Sequence, residues 1–179
     1  MDDKILEASL YTIKGVAILD NDGDRIISRY YDDTFPTTKE QKEFEKSLFQ
    51  KTSRQNAEII MLDGLTVVYR SNVDLYFYVM GSQFENELIL VSVLNAFYDA
   101  VSTMLRKNVE KRFLMDHLDA ILLAIDELVD GGVILEADSS NIIQRVAIKN
   151  DVDVPLTEQT VAQVLRKAKT ELNKQFLKS

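Results

Sequence analysis

LTVVYRSNVDLYFYVMGS, residues 65–82, contains two strand-like runs that decide how the rest of the chain can fold. The first run, LTVVYRS, is rich in β-branched and aromatic residues, and the second, DLYFYVM, is apolar on both of its faces. The Asn72-Val73 region joins them. Successive side chains of a strand point to opposite faces, so a strand that is apolar throughout needs cover on both. We therefore predict that the second run is a central strand with helices above and below.

Three further strands are predicted around this pair. AEIIML, residues 57–62, precedes it, and Asp63-Gly64 between them suits the positive φ values of a two-residue hairpin turn. Nearer the N-terminus, SLYTIKGVAILD and RIISRYY are joined by the Asp/Asn/Gly segment 20–24, which predicts a second hairpin. The strands thus number five.

The remaining core segments have helical periodicity. A polar surface helix follows Pro36, with Thr38 and Gln41 placed to form a capping box and a narrow apolar stripe of Phe44, Leu48 and Phe49. Two longer, mostly apolar helices are predicted at Asn86–Lys107 and Glu110–Val129, the second ending at a Gly-Gly pair. A short helix is expected to begin near Ser139 or Ser140.

The last thirty residues differ from the rest, and we predict a domain at 1–148 and an extension at 149–179. The extension opens as a linker with Pro155 and an N-cap at Thr157, and continues as an amphipathic helix. Its narrow apolar face lacks Trp, which favours a protein partner or packing on the core over lipid.

Composition excludes several classes of function. The net charge of −8 argues against nucleic-acid binding and against unaided docking on acidic lipid. Because there is no cysteine, disulfides, thiolate zinc sites and cysteine nucleophiles are excluded. The N-terminus does not have the pattern of a secretory signal, and no apolar run approaches the roughly 18 residues of a membrane span.

Five aspartates and an asparagine within ILDNDGDRIISRYYDD, residues 18–33, raise the question of a calcium loop. An EF-hand loop that starts at Asp20 has Arg25 where glycine is required and Tyr31 where glutamate is required. Starting two residues earlier also fails. The pattern therefore predicts turn chemistry at 20–24, with Gly23 at positive φ, and a solvated loop at Asp32 and Asp33.

No catalytic site is indicated. His117, the single histidine, falls on the apolar flank of its predicted helix beside Ile121 and Ala124, so we expect it to be packed and hydrogen-bonded. There is no phosphate loop, dinucleotide fingerprint or metal-binding histidine pair. We expect a protein that is not an enzyme and has no cofactor.

What remains is surface for partners. Leu88 falls in the polar stripe of the first long helix and Leu123 in the acidic stripe of the second, which is ordinary for single leucines but also fits anchors in a complex. Val91 and Tyr98 on the first long helix complete the predicted partner-binding set.

Several stretches, in this order and at these separations, resemble the zeta subunits of coatomer, which belong to the small-subunit family of adaptor complexes. They are ILDNDGDR, YYDDTFPTTKEQKEFEK, GLTVVYRSNVDLYFYVMGS, NELILVSVLNAFYD, LRKNVEKR, AIDELVDGGVILEAD and VPLTEQTVAQVL. The resemblance implies an α+β, longin-like (SNARE-like) domain: a five-stranded antiparallel sheet with one helix on one face and two on the other, plus a C-terminal helical extension.

The resemblance also implies a function and partners. The chain would be a small, non-enzymatic coat subunit that pairs with the trunk of the coatomer gamma subunit and joins the other coatomer subunits. An Arf-type GTPase would recruit the assembled coat to Golgi membrane, so the chain would meet the membrane only indirectly. No residues of a dileucine-signal pocket can be carried over. The alternative is a regulatory module of the same fold that binds a small GTPase directly.

Overall fold

The computed structural model describes residues 10–54 and 58–152, except for the side chains of 150–152. In chain order the elements are β1 (Ile13–Asp20), β2 (Arg25–Tyr30), α1 (Thr38–Thr52), β3 (Ile59–Leu62), β4 (Leu65–Asn72), β5 (Leu75–Ser82), α2 (Glu87–Met104), α3 (Lys111–Asp116), α4 (Leu118–Leu128), β6 (Val129–Asp130), β7 (Val133–Ile134) and α5 (Ser139–Val152).

The first five strands form one antiparallel sheet in the order β2-β1-β5-β4-β3. The apolar strand β5 lies at its centre, and both faces of that strand are buried, which confirms the prediction made from its sequence. The two hairpins, β1–β2 and β3–β4, lie on either side of it. The chain therefore builds the sheet from local pairs that the central strand joins.

Two apolar clusters, one on each face of the sheet, hold the helices. On one face Val16, Val79 and Phe77 pack against α2 and α4. On the other, Leu19 and Tyr78 pack against the stripe of α1. The arrangement of one helix on one face and two on the other is thus confirmed, and the two faces are called below the α1 layer and the α2 layer.

The β1–β2 turn has the predicted conformation. Gly23 has a φ of 83°, and its N–H donates to the carbonyl of Asp20 at 3.0 Å. One carboxylate oxygen of Asp20 accepts from the N–H groups of Asp22 and Asp24, at 3.0 and 2.8 Å. The aspartate that opens the segment therefore closes the turn on itself.

Three local predictions are corrected. The capping box of α1 uses Thr37 and Glu40 rather than Thr38 and Gln41. The helix predicted at Glu110–Val129 is broken at His117, which ends α3 and precedes α4. The start of α5 is hydrogen-bonded by Asp138, whose carboxylate accepts from the N–H of Ser140 at 2.8 Å.

His117 is hydrogen-bonded as predicted, but the prediction that it is packed is wrong. The residue is exposed, and its Nδ1 lies 2.9 Å from the carbonyl oxygen of Phe113. The break between α3 and α4 removes His117 from the helical register in which it would share the buried face of Ile121 and Ala124.

The helix α2 is long and apolar enough to cross a membrane by length and composition, contrary to the expectation that no segment is. Eight of its residues are buried in the fold. A core helix that packs on a sheet needs the same composition, so burial accounts for its apolar character.

The chain divides into two compact units, Met1–Val146 and Ala147–Ser179. The first contains the five-stranded sheet and helices α1 to α4. The predicted amphipathic helix after Thr157 lies outside the described residues, and the predicted boundary at 148 stays a prediction.

Candidate partner interface

The N-terminal turn of α2 carries the most exposed residue of the predicted partner-binding set. Asn86 caps the helix, and its side-chain oxygen accepts from the N–H of Leu88 at 2.9 Å. Leu88 lies in the first turn with 76 % of its surface exposed, and Ile89 beside it is also exposed. The cap fixes the backbone at this point, so the leucine is presented from a helix that is anchored in the core.

Tyr98 lies further along α2 and is only 9 % exposed. Its ring meets Phe77 of β5 edge-on, with centroids 5.3 Å apart, and the guanidinium of Arg70 lies 3.7 Å from its centroid. Arg70 is an exposed residue of β4. The tyrosine therefore contributes to the α2 layer mainly by packing and by holding this cation over its face.

Val91 and Leu123 are half-buried, and both pack against the apolar cluster of the α2 layer. Leu123 lies on α4, and the acidic residues Asp119 and Asp126, a helical turn away on either side, are not among the buried residues. The structure thus brings Val91, Tyr98 and Leu123 to the margin of one core. It leaves Leu88 outside that core.

Sequence reasoning missed other exposed apolar residues of the same layer. Phe84 lies in the turn before α2, and Ile59 and Met61 lie on the edge strand β3. Ile60 and Leu62 face the α1 layer, so by strand alternation Ile59 and Met61 face the α2 layer. The alternation of AEIIML could have identified them, but only once β3 is known to be an edge strand.

Lys111, at the start of α3, contacts both the β1–β2 turn and the turn between β4 and β5. Its Nζ lies 2.7 Å from a carboxylate oxygen of the buried Asp20, and its backbone N–H donates to Asp74 at 3.0 Å. Burial alone raises the pKa of Asp20, but hydrogen bonds from Lys111 and from the N–H groups of Asp24 and Asp22 outweigh it and hold the pKa below its ordinary value. The carboxylate of the Asp-rich segment is therefore structural.

A second buried carboxylate lies in the α1 layer. Glu45 is buried on α1, where it accepts from Arg25 Nε at 2.8 Å and from the Tyr30 hydroxyl at 2.9 Å. Burial and the adjacent Glu45 raise the pKa of Tyr30 far above its ordinary value, so its hydroxyl remains a donor. The sequence shows Glu45 only as one polar residue in a polar helix, and so this network was not predicted.

Metal-ligating side chains do not cluster in the described part of the chain. Within residues 10–54 and 58–152 no group of three or more His, Cys, Asp or Glu side chains could hold a metal ion. Asp32, expected to be in a solvated loop, pairs with Lys14 at 3.0 Å and accepts from the N–H of Thr34, while Asp33 is exposed.

Comparison with known proteins identifies the class. Residues 12–153 match the family model of the clathrin adaptor complex small chain. A chain of a homology model of the full-length AP-3 complex, in a stretched open conformation, has the same fold, with a TM-score of 0.63 at 16 % identity over 85 % of this chain and 99 % of that one. The chain belongs to the small-chain family of clathrin-type adaptors.

Within that class the chain is similar to coatomer zeta subunits over nearly its full length. It is 58 % identical to human coatomer subunit zeta-1 over 178 residues, which cover 99 % of this chain and 100 % of that protein. It is 54 % identical to human zeta-2 over 98 % of this chain and 83 % of that protein. The identity to zeta-1 of Arabidopsis thaliana is 43 %, over 93 % and 97 % of the two chains. The resemblance found in the sequence is thereby confirmed.

Proposed function

We propose that the chain is the small, non-enzymatic subunit of a coatomer (COPI) coat, acting in Golgi-to-ER retrograde and intra-Golgi transport. The observation that carries the proposal is the 58 % identity to human coatomer subunit zeta-1, across the whole length of that protein. The described residues support it, because they offer exposed apolar surface for a partner.

The direct partner in this proposal is the trunk of the coatomer gamma subunit. Through it the chain would join the other coatomer subunits and reach Golgi membranes and coated vesicles from the cytoplasm, with an Arf-type GTPase acting on the assembled coat. The exposed apolar residues of the α2 layer fit an interface whose affinity comes from a few buried anchors.

The four partner-binding residues take different roles in this proposal. Leu88 is the direct anchor because most of its side chain is available to a partner. Val91 and Leu123 contribute half-buried apolar surface to the interface. Tyr98 packs in the apolar cluster of the α2 layer and positions Arg70.

Co-expression of the full chain with a gamma-subunit trunk tests the pairing. We expect one complex that survives size-exclusion chromatography, with a mass equal to the sum of one copy of each. A chain that stays separate and monomeric in the presence of the trunk would contradict the proposal.

The alternative, a module that binds a small GTPase directly, is tested on the chain alone. We expect no acceleration of nucleotide exchange on an Arf-type GTPase and no complex with its GTP-bound form. Activity or tight binding by the isolated chain would favour the alternative.

A further inference from the structure

The helix α1 is rich in charges of both signs. Its cations are Lys39, Lys42, Lys46 and Lys51, followed by Arg54 just after the helix, and its anions are Glu40, Glu43 and Glu45. In sequence these five cations and three anions are mixed along the helix, which describes an ordinary solvated helix. The structure shows that the two signs are used differently.

Each anion of α1 has a partner within the molecule. Glu45 is buried against Arg25 and Tyr30. Glu40 completes the capping box, where it accepts from the backbone N–H of Thr37 at 3.0 Å. Glu43 lies 3.9 Å from Lys39 on the surface. Glu45 is thus neutralised inside the fold, whereas Glu40 and Glu43 remain exposed and charged beside the cations of α1.

Four cations on α1 and just after it have no such partner. Among the described residues, no carboxylate oxygen lies within 4.0 Å of the charged nitrogens of Lys42, Lys46, Lys51 and Arg54. Asp22 and Asp24 share a surface depression with Lys42 and Lys46 but form no ion pair with them. The four residues, called here the α1 cations, are exposed, and the three on the helix span about 14 Å of its length.

The apolar surface beside the α1 cations is small, and the half-buried Phe49 lines the same depression as Lys42 and Lys46. The described large apolar residues that are exposed all lie outside α1, and Phe44 and Leu48 of α1 itself are buried. A specific protein interface draws its affinity from aromatic or aliphatic side chains buried in pockets. A bilayer with anionic headgroups attracts Lys and Arg without any such anchor.

We infer that the α1 cations dock against the anionic headgroups of a phospholipid bilayer. The choice of a bilayer over other polyanions rests on the coat function proposed above, since a coat subunit works beside a membrane. The net charge of −8 argues against unaided docking on acidic lipid, but exposed charges more than a Debye length of about 8–10 Å from the α1 cations are largely screened at physiological salt. Asp22 and Asp24, which share a depression with Lys42 and Lys46, offset part of the local positive charge. Local charge, not net charge, decides the contact.

The test measures partition of the full chain into phosphatidylcholine vesicles with and without phosphatidylserine, at about 0.1 M salt, where only nearby charges act. We expect at least about tenfold stronger partition when phosphatidylserine is present, and loss of the difference at high salt. A variant with Lys42→Gln, Lys46→Gln and Arg54→Gln should partition into phosphatidylserine vesicles no more strongly than into neutral vesicles. These three side chains are exposed, so circular dichroism should show an unchanged fold.

The matched control removes three cations elsewhere, by Arg106→Gln, Lys107→Gln and Arg112→Gln. All three are exposed, and both triple variants change the net charge equally. The control should keep the preference for phosphatidylserine. Equal partition of the unaltered chain into both vesicle types, or an equal loss in both variants, would overturn the inference. Tighter binding of a duplex oligonucleotide than of phosphatidylserine vesicles would also overturn it.

Pairing with a gamma-subunit trunk, measured on the same α1 triple variant, separates this inference from the proposed function. If the unaltered chain pairs normally with the trunk but shows no preference for phosphatidylserine vesicles, only the lipid contact is contradicted. Lipid preference that depends on the α1 cations, in a chain that pairs with no trunk, would contradict the coat function and leave the contact in place.

Discussion

The α1 layer and the α2 layer cover the same sheet in different ways. The α1 layer buries a carboxylate and a tyrosine hydroxyl together with a short apolar stripe, pairs the carboxylate with a half-buried arginine, and has a charged outer surface. The α2 layer buries a much larger and almost wholly apolar cluster, and leaves apolar side chains such as Leu88 and Phe84 in solvent. The α1 layer thus combines a smaller apolar cluster with a few specific polar contacts, whereas the α2 layer depends almost wholly on packed apolar volume.

This difference indicates two kinds of surface. A layer that leaves large apolar groups exposed is suited to being covered by another protein. A layer that exposes several cations without ion-pair partners among the described residues is suited to a diffuse anionic surface. The sheet therefore separates the surface proposed for the trunk from the surface proposed for the bilayer.

The largest expected effect is in the packed volume of the α2 layer. Phe97→Ala removes a fully buried ring that meets Phe77 edge-on at 5.7 Å, and should lower the free energy of unfolding by about 4 kcal/mol. Phe84→Ala, on a mostly exposed ring, should change it by less than about 0.5 kcal/mol. Urea unfolding of both variants measures the difference, and equal losses would show that the layer does not depend on packed volume.

In the α1 layer the largest effect should come from a charge. Glu45→Ala leaves Arg25 and the Tyr30 hydroxyl without their acceptor, and should cost about 3 kcal/mol. Glu43→Ala on the same helix removes only an exposed pair with Lys39 and should cost less than about 0.5 kcal/mol. If the two variants unfold at the same urea concentration, the buried network does not stabilise the layer.

A smaller effect is expected where the β6–β7 hairpin meets β1. Gly132 has a φ of 90°, its carbonyl accepts from the N–H of Ile13 at 3.0 Å, and a Cβ at this position would lie 2.8 Å from the Ile13 carbonyl oxygen. Gly131 also has positive φ but has open space around it. Gly132→Ala should therefore destabilise the protein by roughly 2 kcal/mol more than Gly131→Ala. Equal thermal unfolding of the two would exclude the close contact.

The smallest effect should come from the pH dependence of Asp20. Its folded-state pKa lies below the ordinary value of 3.8, so the ionised carboxylate stabilises the fold above that pH. The contribution is lost as the pH falls through the lower folded-state pKa. Unfolding of Asp20→Asn, followed from neutral to acidic pH, should approach that of the unaltered chain as the pH falls. A stability difference that stays constant down to the most acidic pH would contradict this linkage.

Much of the fold could be predicted because its signals are local. Asp63-Gly64 marks a two-residue turn, and the apolar faces of DLYFYVM identify the central strand without knowledge of any partner strand. The family resemblance supplied the arrangement of the layers. Both kinds of signal lie in short stretches of sequence, which can be recognised one at a time and in their order along the chain.

What could not be predicted depends on tertiary contacts. Thr37 with Glu40 and Thr38 with Gln41 satisfy the same capping pattern, and only the backbone conformation distinguishes them. The apolar spacing around His117 continues through the break, so it gives no sign of one. Glu45 has the appearance of a surface residue until Arg25 is brought to it from β2.

The candidate interface was predicted only in part for the same reason. Helical projection correctly placed Leu88 on the exposed side of α2, because that position depends on one helix alone. It did not show that Tyr98 is covered by Arg70, which comes from β4. It also missed Phe84, since a lone aromatic in a polar turn gives no periodic signal.

The affinity of the full chain for a gamma-subunit trunk, measured for Leu88→Asp beside Leu10→Asp, tests the central claim most directly. Both leucines are 76 % exposed, so the two changes are matched in chemistry and in expected effect on the fold. We expect Leu88→Asp to weaken binding by at least about tenfold, as for an interface anchor, and Leu10→Asp to leave it unchanged. Unchanged affinity for both variants would contradict the assignment of the α2 layer as the partner surface.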